Sequence, residues 1–178
     1  MNKRVIISGI SGQDGSYLAK HLLKKKYQVY GIIRNFDKQQ LQNLEILKIK
    51  KKIHFLKSEI SQHKRIASFI KKIKPHMFFN FAAISSLKES YKNFLYTDLI
   101  NNRAVLNIME SIKIFSKKTR FFQASSSELF KKNKKNINEN SEFNPKSPYA
   151  ISKLSTYYYG KIYRNNYKIY IVNGFLFN

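Results

Sequence analysis

What most limits how this chain can fold is its opening stretch, where an apolar run stops at a glycine and a helical pattern begins at once. Arg4-Val5-Ile6-Ile7-Ser8 reads as a buried strand of a parallel sheet. Gly9-Ile10-Ser11-Gly12-Gln13-Asp14-Gly15 follows, and from Ser16 to Leu23 apolar residues recur at helical spacing. Strand, glycine turn and helix without a gap are the context in which three glycines become informative. Gly9 permits the tight turn, Gly12 lets the backbone approach a pyrophosphate, and Gly15 lets the helix pack closely on its strand. The helix start then offers unpaired N–H groups and a positive dipole end to phosphate.

The rest of the chain continues the alternation. Gln28 to Ile33 is a second strand with Arg34 at its end. In dinucleotide sites an acid at this point receives a ribose 2′-hydroxyl and an arginine accommodates a 2′-phosphate. Arg34-Asn35 therefore favours NADP, and Asp37 keeps NAD as the alternative. A helix is expected around Leu41 to Leu47, a third strand at Ile53 to Leu56, and a helix from Ile66 to Ile73, cut off by Pro75. Met77 to Ala83 reads as a fourth strand ending in small residues, beside which a cofactor can pass closely. A long helix over Leu95 to Phe115, a fifth strand over Arg120 to Ala124 and a solvated loop over Lys131 to Asn140 come next. Ser147 caps a helix with Pro148 in its first turn, and Tyr167 to Phe175 is a sixth strand.

Six strands alternating with helices predict an α/β fold, a doubly wound parallel sheet of Rossmann type with its site along the carboxyl edge. The glycine turn, Arg34, Ala82-Ala83, Ser125 to Glu128 and Asn178 all fall at or just past predicted strand ends. In the helix after Ser147, Tyr149 and Lys153 stand one turn apart on one face, close enough for the ammonium to act on the phenol. That is a catalytic pairing in need of a cofactor, which the glycine turn would bind.

Charge pulls the reading elsewhere. The chain has 34 Lys and Arg against 10 Asp and Glu, a net charge of +24, which by itself suggests nucleic acid. The lysines are spread along the whole length, however, with many Asn and Ile beside them. All three residue types have codons writable entirely in A and T, so biased base composition accounts for them without a binding face. A solvated surface is the expectation, and nucleic acid is not expected as a partner. The chain has no cysteine, which removes disulfides and thiolate metal sites, and no metal is expected in the site. No apolar run nears the roughly 20 residues that span a bilayer. The start runs directly into a strand, so no signal peptide or membrane partner is expected and the cytoplasm is the expected location.

Residues 8–19 closely resemble the opening of GDP-mannose 4,6-dehydratases, members of the extended short-chain dehydrogenase/reductase superfamily. Gln123 to Phe130, Ser147-Pro148-Tyr149 and Val172 to Asn178 resemble later blocks of the same family, in the same order. The resemblance implies a lyase that borrows and returns a hydride through NADP. It converts GDP-mannose to GDP-4-keto-6-deoxymannose. Tyr149 would be the base on the hexose 4-hydroxyl, assisted by Lys153; Glu128 would remove the C5 hydrogen and assist loss of the 6-hydroxyl. Ser126, where the family usually has threonine, would hydrogen-bond O4, and Ser126 and Asn178 would meet substrate. Cofactor contacts would come from Gly9, Ile10, Ser11, Gly12, Gln13, Asp14 and Gly15 at the pyrophosphate and from Arg34 at the 2′-phosphate. Phe81, Ala82, Ala83, Ile84 and Ser85 would line the ribose and nicotinamide side, Tyr96 would lie nearby, and Lys153 would also hold the nicotinamide ribose.

Some positions depart from the family. Its Asp-Leu pair at the adenine is Glu59-Ile60 here, a Gly-Thr pair in the long helix is Ala104-Val105, and a second arginine is Asn35. Family members are about twice as long, as two-domain chains are. The 178 residues therefore read as an NADP-binding Rossmann domain spanning 1–178, truncated before the substrate-binding domain, with a homo-oligomer expected for the full-length form. The competing readings are another sugar-nucleotide epimerase or reductase of the superfamily, against which Glu128 argues, and a non-catalytic module that binds nucleotides or polyanions.

Overall fold

The structure, a computed structural model, describes residues 3–131 and 136–177. Part of the loop predicted from Lys131, and Asn178, therefore lie outside the described residues. Six strands, β1 (Arg4–Ser8), β2 (Gln28–Ile33), β3 (His54–Lys57), β4 (Met77–Asn80), β5 (Arg120–Ser126) and β6 (Ile171–Leu176), form one sheet. Their order is β3-β2-β1-β4-β5-β6, and every pairing is parallel. This is the doubly wound arrangement expected, with the order reversing at β1 and β4.

Helices α1 (Gln13–Lys24) and α2 (Lys38–Ile46) cover one face; α3 (His63–Ile73), α6 (Ala104–Phe115) and α7 (Pro148–Tyr167) cover the other. Because both faces are buried, β1 needs apolar residues at successive positions, not alternate ones. Val5 and Ile7 pack with Leu22 and Leu44 on the first face, while Ile6 packs with Ile70, Phe78 and Ile108 on the second. Each fully buried side chain of this size contributes roughly 1.5–3 kcal/mol.

The expected long helix over Leu95 to Phe115 is interrupted. It is preceded by α4 (Leu87–Lys92) and built from α5 (Phe94–Asp98), one π turn over Leu99–Arg103, and α6. Asn93 ends α4 and caps α5, its side chain accepting from the Tyr96 N–H. The fourth strand stops at Asn80, earlier than expected, because Phe81 to Ser86 leave the sheet as an irregular crossing. The sixth strand starts later than Tyr167. The helix pattern of Tyr163 and Tyr167 continues α7 across Lys113 of α6 until Lys168 takes a left-handed conformation, φ 56°.

Candidate cofactor and catalytic sites

The glycine turn has the shape its sequence requires. Gly9 has φ +70°, and a Cβ on it would come within 2.7 Å of the Ala82 backbone nitrogen. The small residue at Ala82 and the glycine at 9 are thus two halves of one close approach between the turn and the segment after β4. A Cβ at Gly15 would stand 2.4 Å from the Gly9 carbonyl oxygen, so α1 can pack on the turn only with glycine there. Gly12, the N-cap of α1, offers no side-chain cap to the first N–H groups. A helix start left this way, with a side-chain-free turn in front of it, is chemically suited to a phosphate.

Beside the turn is a cavity of about 280 Å³. Of the cofactor residues expected from sequence, Gly9, Ser11, Gly12, Arg34, Glu59, Ile60, the whole segment Phe81 to Ser85, and Tyr96 line it. Ile10, Gln13, Asp14 and Gly15 do not: Ile10 is fully buried, and the other three form the first turn of α1, with Gln13 and Asp14 exposed. Sequence reasoning missed Ile32, Gln40, Ser58 and Ile100 in the wall. It also missed Asn101, whose side chain accepts from the Ile84 N–H at 2.8 Å and donates to the Ile84 carbonyl at 2.9 Å. Asn101 is buried in the π turn, and a π turn inside a long helix is itself a frequent companion of functional sites. The turn swings Asn101 toward the cavity wall and pins it; nothing in apolar periodicity signals that.

Across the same cavity the Tyr96 hydroxyl donates a hydrogen bond to Glu59, whose other carboxylate oxygen accepts from Ser61 at 3.2 Å. The Glu59 hydrogen bond, then burial and the carboxylate's charge, hold the Tyr96 phenol above its ordinary pKa of 10.0, against the opposing pull of Arg34.

The four expected catalytic residues converge at the carboxyl end of β5. Ser126 ends that strand, Glu128 lies half-buried in the short 3₁₀ turn after it, and Tyr149 and Lys153 occupy the first turns of α7. Ser147 fixes this helix start, accepting from the Ala150 N–H at 3.0 Å, with Pro148 following. Ser126 in turn accepts from the Glu128 N–H at 3.2 Å, which sets the carboxylate's approach. None of the four lines the 280 Å³ cavity. The carboxyl edge therefore holds two separate groupings.

Lys153 is buried, and its Nζ donates to the Ala124 carbonyl at 2.8 Å. That carbonyl also accepts from Gln123, which accepts at 2.8 Å from Asn80, which accepts from Ser8 at the end of β1. A hydrogen-bonded chain thus crosses three strands from the residue before the glycine turn to the lysine. Burial alone lowers Lys153 to about 8. Its Nζ is 5.8 Å from the centre of the Tyr149 ring, so the two share a face as expected. Burial, aided by the Glu128 charge, raises Tyr149, and the Ser126 hydroxyl pulls it down.

Among the described residues no cluster of three or more His, Asp or Glu side chains could hold a metal, and no helix is long and apolar enough to cross a membrane.

The family model for GDP-mannose 4,6 dehydratase matches residues 6–178. The chain is similar to the GDP-mannose 4,6-dehydratase of Vibrio cholerae, 35% identical over all of this chain and 50% of the relative. It is also similar to the GDP-mannose 4,6 dehydratase of Drosophila melanogaster, 37% identical over 99% of this chain and 47% of the relative. The chain spans about half the length of the curated relatives it matches. Among solved structures, the UDP-Glc/GlcNAc 4-epimerase of Campylobacter jejuni superposes with a TM-score of 0.88 at 21% identity, over 99% of this chain and 54% of that one. The dTDP-glucose 4,6-dehydratase of Bacillus anthracis, solved in complex with NAD, superposes with a TM-score of 0.81 at 20% identity, over 97% and 54%. At those identities the two structures speak to the fold alone.

Proposed function

The chain belongs to the GDP-mannose 4,6-dehydratase family, and on that premise we propose that it is the dinucleotide-binding half of an enzyme that dehydrates GDP-mannose to the 4-keto-6-deoxy sugar. The observation that carries the reading is the convergence of Ser126, Glu128, Tyr149 and Lys153 at one strand end, on the same carboxyl edge as a glycine turn shaped for phosphate. We read residues 1–178 as one NADP-binding domain, with the substrate domain belonging to the portion of the relatives that this chain does not match.

The residues fit a nicotinamide dinucleotide. The Gly9 to Gly15 turn would hold its pyrophosphate, Arg34 a 2′-phosphate, Phe81 to Ser85 the ribose and nicotinamide side, and Lys153 the nicotinamide ribose. When bound, the nicotinamide supplies a reversible hydride acceptor for C4 of the hexose and a donor for C6. The chain's own residues handle the protons. Tyr149 takes the proton of the 4-hydroxyl, and its burial means that it needs positive charge close by; Lys153, one turn along, provides one. Ser126 would hydrogen-bond O4. Once C4 is a ketone the C5 hydrogen is acidic, and Glu128 removes it and passes a proton to the departing 6-hydroxyl. A carboxylate at 128 is what separates dehydration from simple epimerisation.

Two measurements test this. NADP should raise the chain's thermal midpoint by several degrees at saturating concentration, and no rise would overturn the cofactor reading. With GDP-mannose and NADP, and with the chain completed by the substrate half of a curated relative, Glu128→Gln should lose 6-deoxy product while keeping isotope exchange at C4. Product from that variant would overturn the role of Glu128, and a completed wild-type enzyme that binds NADP yet yields no product would overturn the dehydratase reading.

A further inference from the structure

The lysines that are spread along the sequence are not spread evenly over the fold. In a sheet whose strands are all parallel, each helix runs back and ends where the next strand begins. The five helix-to-strand connections therefore gather at the amino edge, opposite the carboxyl edge. The connection into β2 carries Lys25 and Lys26, and the one into β3 carries Lys48 and Lys50 to Lys52. Those into β4, β5 and β6 carry Lys74, Lys117 with Lys118, and Lys168. None of the five contains an acid. At the carboxyl edge the first four connections hold Arg34 as their one cation, against Asp37 and Glu59, and the long fifth mixes its lysines with Glu128, Glu139 and Glu142.

Backbone hydrogen bonds fix the strand starts side by side. The Lys3 carbonyl accepts from the Gln28 N–H at 3.0 Å, the Arg4 carbonyl from the His76 N–H at 2.8 Å, and the His76 carbonyl from the Arg120 N–H at 3.0 Å. At the spacing of neighbouring strands the six starts make a row about 24 Å long. Rings stand among the charges. Tyr170 is 57% exposed, with the Arg120 guanidinium 5.2 Å from its ring centre, and the His54 and His76 imidazoles are exposed.

Biased base composition does not explain this arrangement, because it treats both edges alike. It also offers asparagine as readily as lysine. Yet among the described residues the non-glycine positions with positive φ are Lys26, Lys48, Lys74 and Lys168, each at or just past a helix end on the amino edge. After glycine, asparagine is the residue best suited to this left-handed conformation, and the chain uses asparagine freely elsewhere. Helix polarity does not explain it either. A helix C-terminus supplies only about half a negative charge, which a single lysine already exceeds.

We propose that the amino edge of the sheet is a binding surface for single-stranded nucleic acid. The lysine row follows the phosphates, and Tyr170 with the neighbouring imidazoles offers ring faces to the bases. The surface lies at the opposite end of the strands from the glycine turn and its cavity, so a dinucleotide and a nucleic acid strand can be held at once.

The test is fluorescence anisotropy of a labelled oligouridylate titrated with the chain over a series of salt concentrations. Wild type is expected to bind, with affinity falling steeply between about 50 and about 200 mM salt. Lys26→Asn, Lys48→Asn, Lys74→Asn and Lys168→Asn together suit the left-handed backbone, so the fold should accept them. They should weaken binding about tenfold at the lower salt and flatten the logarithmic salt slope by about 3. Lys38→Gln, Lys57→Gln, Lys64→Gln and Lys88→Gln together remove the same charge near the carboxyl edge and should change affinity by less than about twofold. Equal losses in the two sets, or no binding by wild type, would overturn the proposal. Displacement of the oligonucleotide by saturating NADP would overturn it as well, since the strand would then occupy the cofactor cavity. Tyr170→Ala should weaken binding about fivefold with the salt slope unchanged, and an unaltered affinity would overturn the assignment to nucleic acid. Sedimentation with vesicles of phosphatidylserine and phosphatidylcholine supplies the other arm. If replacing the four amino-edge lysines abolishes vesicle binding and spares the oligonucleotide, the edge is a lipid surface and the proposal fails.

Discussion

At the end of the carboxyl edge proposed to take the nucleotide the cavity's polar groups satisfy one another: Tyr96, Glu59 and Ser61 are linked, and Asn101 grips both backbone groups of Ile84. At the proposed reacting end two groups do not, and on the π turn the buried Asn102 Oδ1 does not either. Lys153 is buried with the Ala124 carbonyl as its hydrogen-bond acceptor, and the Ser125 hydroxyl and the Asn173 side-chain amide make no hydrogen bond among the described residues. Buried polar groups without partners are unfavourable and uncommon in folded chains, and they concentrate where function requires them. The nucleotide end is therefore a rigid steric mould that the fold needs for its own packing. The reacting end is a polar corner that the fold tolerates at a loss of stability.

The difference can be broken at its strongest point with glycine. Gly15→Ala places a methyl against the Gly9 carbonyl, backbone against backbone, and should destabilise the chain by about 3 kcal/mol in urea unfolding. Gly12→Ala, whose Cβ would meet only the Gly9 oxygen at 3.3 Å, should leave stability within about 1 kcal/mol while weakening dinucleotide binding. Equal losses of stability in the two variants would remove the distinction between a glycine the fold needs and one the ligand needs.

The reacting end predicts the opposite sign. Lys153 titrates at about 8 when folded against an ordinary 10.5, so between those values the unfolded chain binds more protons than the folded one. The penalty of burying its charge is then fully present below pH 8 and is relieved as the pH rises toward 10.5. Lys153→Met should consequently be more stable than wild type by about 1–3 kcal/mol at pH 7, with the gap closing by pH 10.5. Urea midpoints of both proteins across that range check it, and a gap independent of pH would show that packing rather than charge is responsible. The smallest effect belongs to Ser125→Ala, which removes a buried hydroxyl that has no protein partner and should be neutral or stabilising by up to about 1 kcal/mol.

Legibility in the sequence followed the same division. The glycine turn was readable because close backbone approach admits only one residue type, and Tyr149 with Lys153 was readable because a helix places residues four apart on one face. Both constraints are local. The break in the predicted helix at the π turn was not readable, since apolar spacing does not separate a π turn from the α-helix around it; the Asn101 it carries holds the crossing segment at Ile84. The continuation of α7 through Tyr167, where a strand was expected, likewise depends on α6 lying alongside.

The sequence alone determined the alternation of strand and helix, the turn that opens the sheet and the identity of the residues at its carboxyl edge, because these follow from spacing and steric permission within a few residues. Only the tertiary structure decided that Glu59 and Tyr96 would meet beside Arg34, and that a hydrogen-bonded chain would run from Ser8 to Lys153. It also decided that burial would be the largest influence on the Tyr149 phenol, raising its pKa. Such properties depend on distance and on exclusion of water between elements far apart in the chain, and neither is set until the sheet has assembled.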